Sequence, residues 1–335
     1  VSEVSMANPE NDFQARRLAD LDPSLALEGA LPRLVDEWQD VPKLWDAVRF
    51  ECDRLAQPGR FILTGSSSPK RKEAWGADQP RHSGAGRMVR IPMGTMTQLE
   101  LSQSSGEVSI ASLFDNMAAT AASSLTLERI AELVVSGGWP QARGKSAQSA
   151  ALIAKGYLQA VINEDIHEVD GIERDRSKVR RLIRSLARNE STLAGNKTLL
   201  RDARGAGTDE ETLTAPTMTE YMDALRRLYF VQEIPAWSPN VRSSTRIRSA
   251  PKRHLADPSL AAAALGLSAK GLMKDVKLGA SQEDEGAANL LALKDKMARA
   301  GYPPPSAMLV VVGVGGISHR RSDGVTVATL DTLGI

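Results

Sequence analysis

Pro32-Arg33-Leu34-Val35-Asp36-Glu37-Trp38-Gln39 opens, and Phe61-Ile62-Leu63-Thr64-Gly65-Ser66-Ser67-Ser68 closes, the most telling stretch of this 335-residue chain. The first piece predicts a short buried strand over Leu31–Val35 that ends at Asp36 and carries Glu37 beside it. The second predicts a strand over Phe61–Leu63 that ends in a hydroxyl, Thr64, and a turn of small residues. Between them, Leu44, Trp45, Val48, Cys52 and Leu55 recur at three- and four-residue steps, so Pro42–Leu55 reads as a helix. Pro58-Gly59 breaks that helix before the second strand. Strand, helix and strand in this order belong to an α/β fold with parallel strands, whose ligands gather at the carboxyl ends.

Outward from this stretch, 335 residues allow two or three domains with their own cores. Apolar residues make up 42% and charged residues 25%, with a net charge of +1. That balance is globular, and it confines any nucleic-acid surface to a local patch. A single cysteine, Cys52, excludes an internal disulfide framework and a cysteine-rich metal site, and fits a reducing, cytoplasmic setting. It sits on the apolar face of the predicted helix, as a core residue rather than a nucleophile. No apolar run approaches the roughly 18 residues of a membrane span, and no signal peptide opens the chain. The chain starts with Val, so residues before position 1 are expected in a longer parent protein.

Further along, residues 11–29 read as amphipathic, 69–86 as a polar loop, and Met88–Ile91 as a third strand. Leu127–Val135 is a helix, closed by Ser136-Gly137-Gly138-Trp139-Pro140. Long helices are expected over Ala147–Ile166 and, strongly basic, over Lys178–Ala187. A short helix over Leu193–Asp202 is followed by a turn and by Thr214-Ala215-Pro216-Thr217, a hydroxyl cap with Pro in the first turn. The helix it opens runs to Leu228, and Tyr229-Phe230-Val231 then looks like a strand. Helix, turn, helix and strand is the order of a winged helix. Helices near Leu260–Leu265 and Ala287–Ala300 precede a strand over Ala307–Val314.

Asp36 and Glu37 are placed as an acid pair should be to hold magnesium and polarise water, although two acids also simply end many strands. Thr64 is placed to sense a phosphate. Arg87, on the Gly-flanked loop Gly84-Ala85-Gly86-Arg87, reads either as a phosphate contact or as a solvated loop arginine. The histidines, His82, His167, His254 and His319, have no metal-site spacing. Asp257, before Pro258, reads as a helix cap. Arginines crowd residues 174–188, and Arg201, Arg204, Arg226 and Arg227 flank the predicted helix-turn-helix. Arg242, Arg246, Arg248, Lys252 and Arg253 follow. A recognition helix starting near Thr214 would offer Thr217, Thr219 and Glu220, with the arginines gripping phosphates; equally, winged helices often serve as protein-docking units and basic helices are often only solvated faces.

Leu34-Val35-Asp36-Glu37-Trp38-Gln39, Val41-Pro42-Lys43-Leu44 and Gly59-Arg60-Phe61-Ile62-Leu63-Thr64-Gly65-Ser66 resemble a large family of bacterial and archaeal AAA-superfamily ATPases that carry a C-terminal domain of unknown function. The resemblance continues in order through Gly86-Arg87, Gly137-Gly138-Trp139-Pro140, Tyr157-Leu158, Glu164-Asp165-Ile166, Thr217 to Leu228, and Leu255-Ala256-Asp257-Pro258. It implies a P-loop NTPase core over residues 1–101, a helical lid over 102–170, a winged helix over 171–240 and a partial restriction-endonuclease-like end over 241–335.

The same resemblance implies ATP and Mg2+ as cofactors, with Asp36 holding the magnesium through water, Glu37 as general base, Thr64 as sensor and Arg87 as finger. The DNA contacts expected from the basic surfaces are Thr217, Arg226, Arg242 and Arg246, on double-stranded DNA, in a possible homo-oligomer with no membrane role. The family's Gly-rich phosphate loop, with its Lys and Ser/Thr, is not in these 335 residues. It is expected before residue 1 of the parent chain, where ATP hydrolysis would occur. Two alternatives accompany this reading. One is a non-catalytic DNA-binding or scaffold protein on the ATPase fold. The other is a magnesium-dependent nuclease using Asp275 and Lys277, which would need a second carboxylate.

Overall fold

The computed structural model describes residues 1–55, 57–67, 84–115, 120–204, 213–239, 249–275 and 281–334. The chain forms two compact units that interleave along the sequence. One comprises Val1–Met93, Val161–Val179 and Thr214–Val231. The other comprises Gly94–Ala160, Arg180–Leu213 and Gln232–Ile335.

The first unit is organised by a three-stranded parallel sheet in the order β1 (Ser2–Ser5), β2 (Arg33–Asp36), β3 (Phe61–Leu63). β2 is the middle strand, with Ser5 level with Asp36 and Leu63 level with Val35. The helix Leu44–Leu55 makes the crossover from β2 to β3, because parallel neighbours cannot be joined by a tight turn. Its buried face carries Leu44, Trp45 and Val48, which pack with Met6, Ala19, Leu27, Val35, Trp38 and Val41. Each large side chain so buried contributes about 1.5–3 kcal/mol. The Trp38 and Trp45 rings meet tilted at 5.4 Å, and the Arg90 guanidinium lies over Trp45 at 5.1 Å.

β1 was not legible in the sequence. Ser2-Glu3-Val4-Ser5 offers one apolar residue to the period-2 pattern, and it becomes a strand because its backbone pairs with β2. The expected third strand over Met88–Ile91 is corrected. This segment joins no ladder among the described residues. Val89 and Ile91 are 87% and 85% exposed, so no sheet face holds them.

The same unit contains a buried ionic cluster. Asp170 Oδ2 lies 2.6 Å from Arg174 Nη2 and 2.6 Å from Arg227 Nη2. The Asp170 and Arg174 side chains are fully buried, and Arg227 nearly so. Tyr221 Oη accepts the Asp175 backbone N–H at 3.0 Å. These bonds tie residues 161–179 to the helix Ala215–Arg227. The expected long helix from Ala147 is present as α-helix Ala147–Ala160, π-helix Val161–Asp165 and the turn Ile166–Glu168.

The second unit packs helices Leu127–Ser136, Ala147–Ala160, Pro258–Leu265 and Ala269–Asp275 against one another. The break after Leu127–Ser136 is fixed by Asp257. That residue is 1% exposed, caps Pro258–Leu265 through the Ser259 N–H, and accepts the Gly138 N–H at 2.8 Å. Gly137 sits at φ +66°, and a Cβ there would collide with the Asp257 carboxylate, so glycine is required. Trp139 donates to Ser259 Oγ at 2.8 Å and its ring meets that of Tyr157 at a tilt, 4.9 Å between centroids.

A four-stranded sheet in the same unit has the order Ala121–Ala122, Ile317–Arg320, Thr326–Thr329, Leu309–Val312. Thr326–Thr329 runs parallel to Leu309–Val312 and antiparallel to Ile317–Arg320. The helices Arg176–Arg188, Asn196–Arg204 and Ala215–Arg227 are followed by the paired strands Val231–Ile234 and Lys252–Leu255. Asp275 closes the helix Ala269–Asp275, and Lys277 lies outside the described residues. No helix among the described residues is long and apolar enough to cross a membrane.

Candidate functional site

The site follows from the sheet. β1, β2 and β3 are parallel and end at the same level, so Ser5, Asp36 and Thr64 come together at their carboxyl ends. Asp36 stands in the middle. Its Oδ1 accepts the Thr64 hydroxyl at 2.6 Å, and its Oδ2 accepts the Ser5 hydroxyl at 3.1 Å. Backbone bonds hold the three ends in register. Met6 N donates to Asp36 O at 3.0 Å, Thr64 N to Val35 O at 3.0 Å, and Trp38 N to Thr64 O at 3.1 Å.

Glu37 leaves the sheet in the left-handed region, at φ 52° and ψ 44°. A non-glycine residue there is strained by roughly 1–2 kcal/mol. The turn puts the Glu37 side chain beside Gln39 and Ser66. Gln39 Nε2 donates to Glu37 Oε2, and the Ser66 hydroxyl donates to the same oxygen at 3.4 Å. Both restraints act on Oε2, and Oε1 has no hydrogen-bond partner among the described residues. Asp40 closes the 3-10 turn Trp38–Asp40. Burial pushes its carboxyl up, Arg16 at 3.4 Å opposes that, and the Glu37 charge reinforces it.

The arrangement presents oxygen donors only: one carboxylate between two hydroxyls, and a second carboxylate with one oxygen free. That is the donor chemistry of magnesium, which takes one or two protein carboxylates and completes its shell with water and phosphate oxygens. Among the described residues no group of three or more His, Cys, Asp or Glu could hold a metal ion.

Of the residues singled out from sequence, Asp36, Glu37 and Thr64 are brought together. Arg87 is engaged elsewhere: its Nε lies 2.7 Å from Asp53 Oδ1, and its Nη1 donates to Ala85 O at 3.2 Å. Thr217 serves its own helix. Its N–H and hydroxyl both bond the Thr214 hydroxyl, the latter at 2.7 Å, and Thr219 bonds back to Ala215 O. Arg226 is half-buried. Arg242 and Arg246 lie outside the described residues. Ser5, Gln39 and Ser66 were not anticipated. Gln39 and Ser66 flank the acid pair and the second strand in sequence, but nothing there shows that they face Glu37.

A domain of unknown function, DUF8612, matches residues 127–271. Two curated relatives are uncharacterized proteins of Mycobacterium tuberculosis and Mycobacterium bovis. Each is 27% identical over 277 residues, covering 82% of this chain and 53% of the relative. The chain therefore spans about half the length of the curated relatives it matches. No solved structure matches it.

Proposed function

We propose that this chain carries the magnesium- and water-handling half of an ATP site, and that the full-length protein couples ATP hydrolysis to double-stranded DNA. One observation carries the reading: Asp36 lies at the carboxyl end of the middle parallel strand, held by hydroxyls from both neighbours, with Glu37 turned out beside it. Ligands of parallel sheets bind outside these ends. The backbone edge of β3 has no partner strand among the described residues, and Ile62 on it is half exposed. That edge is where a further parallel strand, bearing a phosphate-binding loop, would extend the sheet.

In this reading Asp36 holds magnesium through water, and the Ser5 and Thr64 hydroxyls fix its carboxylate orientation. Magnesium, when bound, neutralises charge on the phosphate oxygens. Gln39 and Ser66 hold Glu37 by Oε2, so Oε1 is the oxygen that accepts a proton from the attacking water. Thr64, bonded to the Asp36 carboxylate, takes the sensor position. Arg87, tied to Asp53, would act only after that ion pair opens.

Phosphate release by the full gene product, with and without Glu37→Gln, tests the proposal. ATP binding should persist and release should fall by about 100-fold or more, the scale of a general base. Release that is absent in the unsubstituted protein, or unaffected by Glu37→Gln, overturns it.

A further inference from the structure

The second unit carries a concentration of positive charge that the proposed ATP site does not use. Between Arg180 and Arg204 the chain has seven basic and two acidic residues, in a protein whose net charge is +1. On the helix Arg176–Arg188, Arg180, Arg184 and Arg188 are exposed at four-residue steps, so they form one stripe. On the helix Asn196–Arg204, Lys197, Arg201 and Arg204 form a second stripe at steps of four and three.

The helices are joined by Ser185 Oγ donating to Leu199 O at 3.0 Å, and the stripes meet where Arg188 Nη1 lies 3.0 Å from Asp202 Oδ1. Glu190, the other acid, is taken up by His254 and the Leu255 N–H. Arg180, Arg184, Lys197 and Arg201 have no ion pair or hydrogen bond among the described residues. Lys197, Leu200, Arg201 and Arg204 line a shallow concavity of about 380 Å³.

We propose that these two stripes form one surface that grips the phosphate backbone of duplex nucleic acid, without reading bases. Arg180 to Arg188 spans about 12 Å along the helix. A duplex offers one phosphate per roughly 3.4 Å of each strand, so that span meets three or four charges. Residues 180–204 include no Phe, Trp or Tyr, and stacking on such side chains is what single-strand binders use, so a duplex is favoured. An anionic membrane is disfavoured because the apolar face of the helix, Val179, Leu182, Ile183 and Leu186, is at most 4% exposed and buried in the protein. Lipid-bound helices need that face free. The inference rests on the reading that the protein handles DNA and moves the contact away from Thr217, whose hydroxyl serves as part of a cap.

The test is fluorescence anisotropy of the full chain with a labelled duplex of arbitrary sequence at several salt concentrations, without nucleotide. Variants are Arg180→Ala/Arg184→Ala and Lys197→Ala/Arg201→Ala, all at exposed positions, with circular dichroism melts to confirm folding. Affinity should fall with salt, and each double variant should lower the log–log slope by about 2 and weaken binding about equally for unrelated sequences. Arg→Lys replacements at the same positions should keep most of the affinity. Duplex binding unchanged by both double variants overturns this surface while leaving the DNA reading intact. No duplex binding at low salt overturns both. Binding to phosphatidylserine vesicles but not to duplex also overturns both, in favour of a lipid surface.

Discussion

The Thr64 hydroxyl donates to Asp36 Oδ1 at 2.6 Å across adjacent parallel strands, so the carboxylate and the phosphate sensor of the proposed site are one hydrogen-bonded unit. A bond to a charged acceptor contributes about 1.5–3 kcal/mol when buried and less when partly exposed, as here. Thr64→Val should therefore cost about 1–2 kcal/mol in urea denaturation, and Thr64→Ser should recover most of it. A Thr64→Val protein as stable as the parent would mean that the pair does not position Asp36.

Glu37 makes the opposite trade. Its left-handed backbone suits glycine, so Glu37→Gly removes strain while deleting the carboxylate. We expect the variant to be more stable by up to about 1 kcal/mol, with no phosphate release from the full gene product. Thermal melting and the release assay read the two effects separately. A destabilised Glu37→Gly protein would place the contribution of Glu37 in its bonds to Gln39 and Ser66.

Asp170 holds two arginines in a site closed to water. Asp170→Ala leaves Arg174 and Arg227 without their shared counter-charge and should destabilise by about 3–5 kcal/mol in urea. Asp170→Asn, which keeps an acceptor, should cost less. Equal losses in the two variants would show that charge, not shape, matters there.

Cys52 tests the boundary between core and reactive residue. Burial pushes its thiol up, and the neighbouring Asp53 and Glu51 carboxylates push in the same direction. The folded thiol therefore holds its proton to higher pH than the unfolded one. Alkylation by iodoacetamide at pH 8 should be slower than for free cysteine and should accelerate in denaturant. The rate should still be rising with pH above the ordinary thiol range. Fast alkylation of the folded chain would remove Cys52 from the apolar face of its helix.

Much of the fold was legible from local pattern. Thr126 and Thr214 cap helices where hydroxyls precede apolar periods, and Asp257 caps before Pro258. The acid pair and Thr64 fall at strand ends because β2 and β3 are short apolar runs closed by polar residues. β1 was hidden because three of its four residues are polar and its pairing partner is about 30 residues away. Met88–Ile91 misled for the converse reason: its apolar content suits a strand, but a strand exists only where a neighbour supplies the other half of each hydrogen bond.

Strand, helix and turn positions, and the proximity of Asp36 to Glu37, follow from residues within a few positions of each other, where periodicity and capping act. Which side chains pair, at short as well as long separation, came from the tertiary structure. Ser5 reached Asp36 through sheet register, and Gln39 and Ser66 reached Glu37 through its left-handed turn. Arg87 reached Asp53 across 34 positions, and Thr217 was drawn into the Thr214 cap rather than outward. A side chain's type fixes which bonds it can make. Which bond it does make depends on which groups the folded backbone brings within about 3 Å.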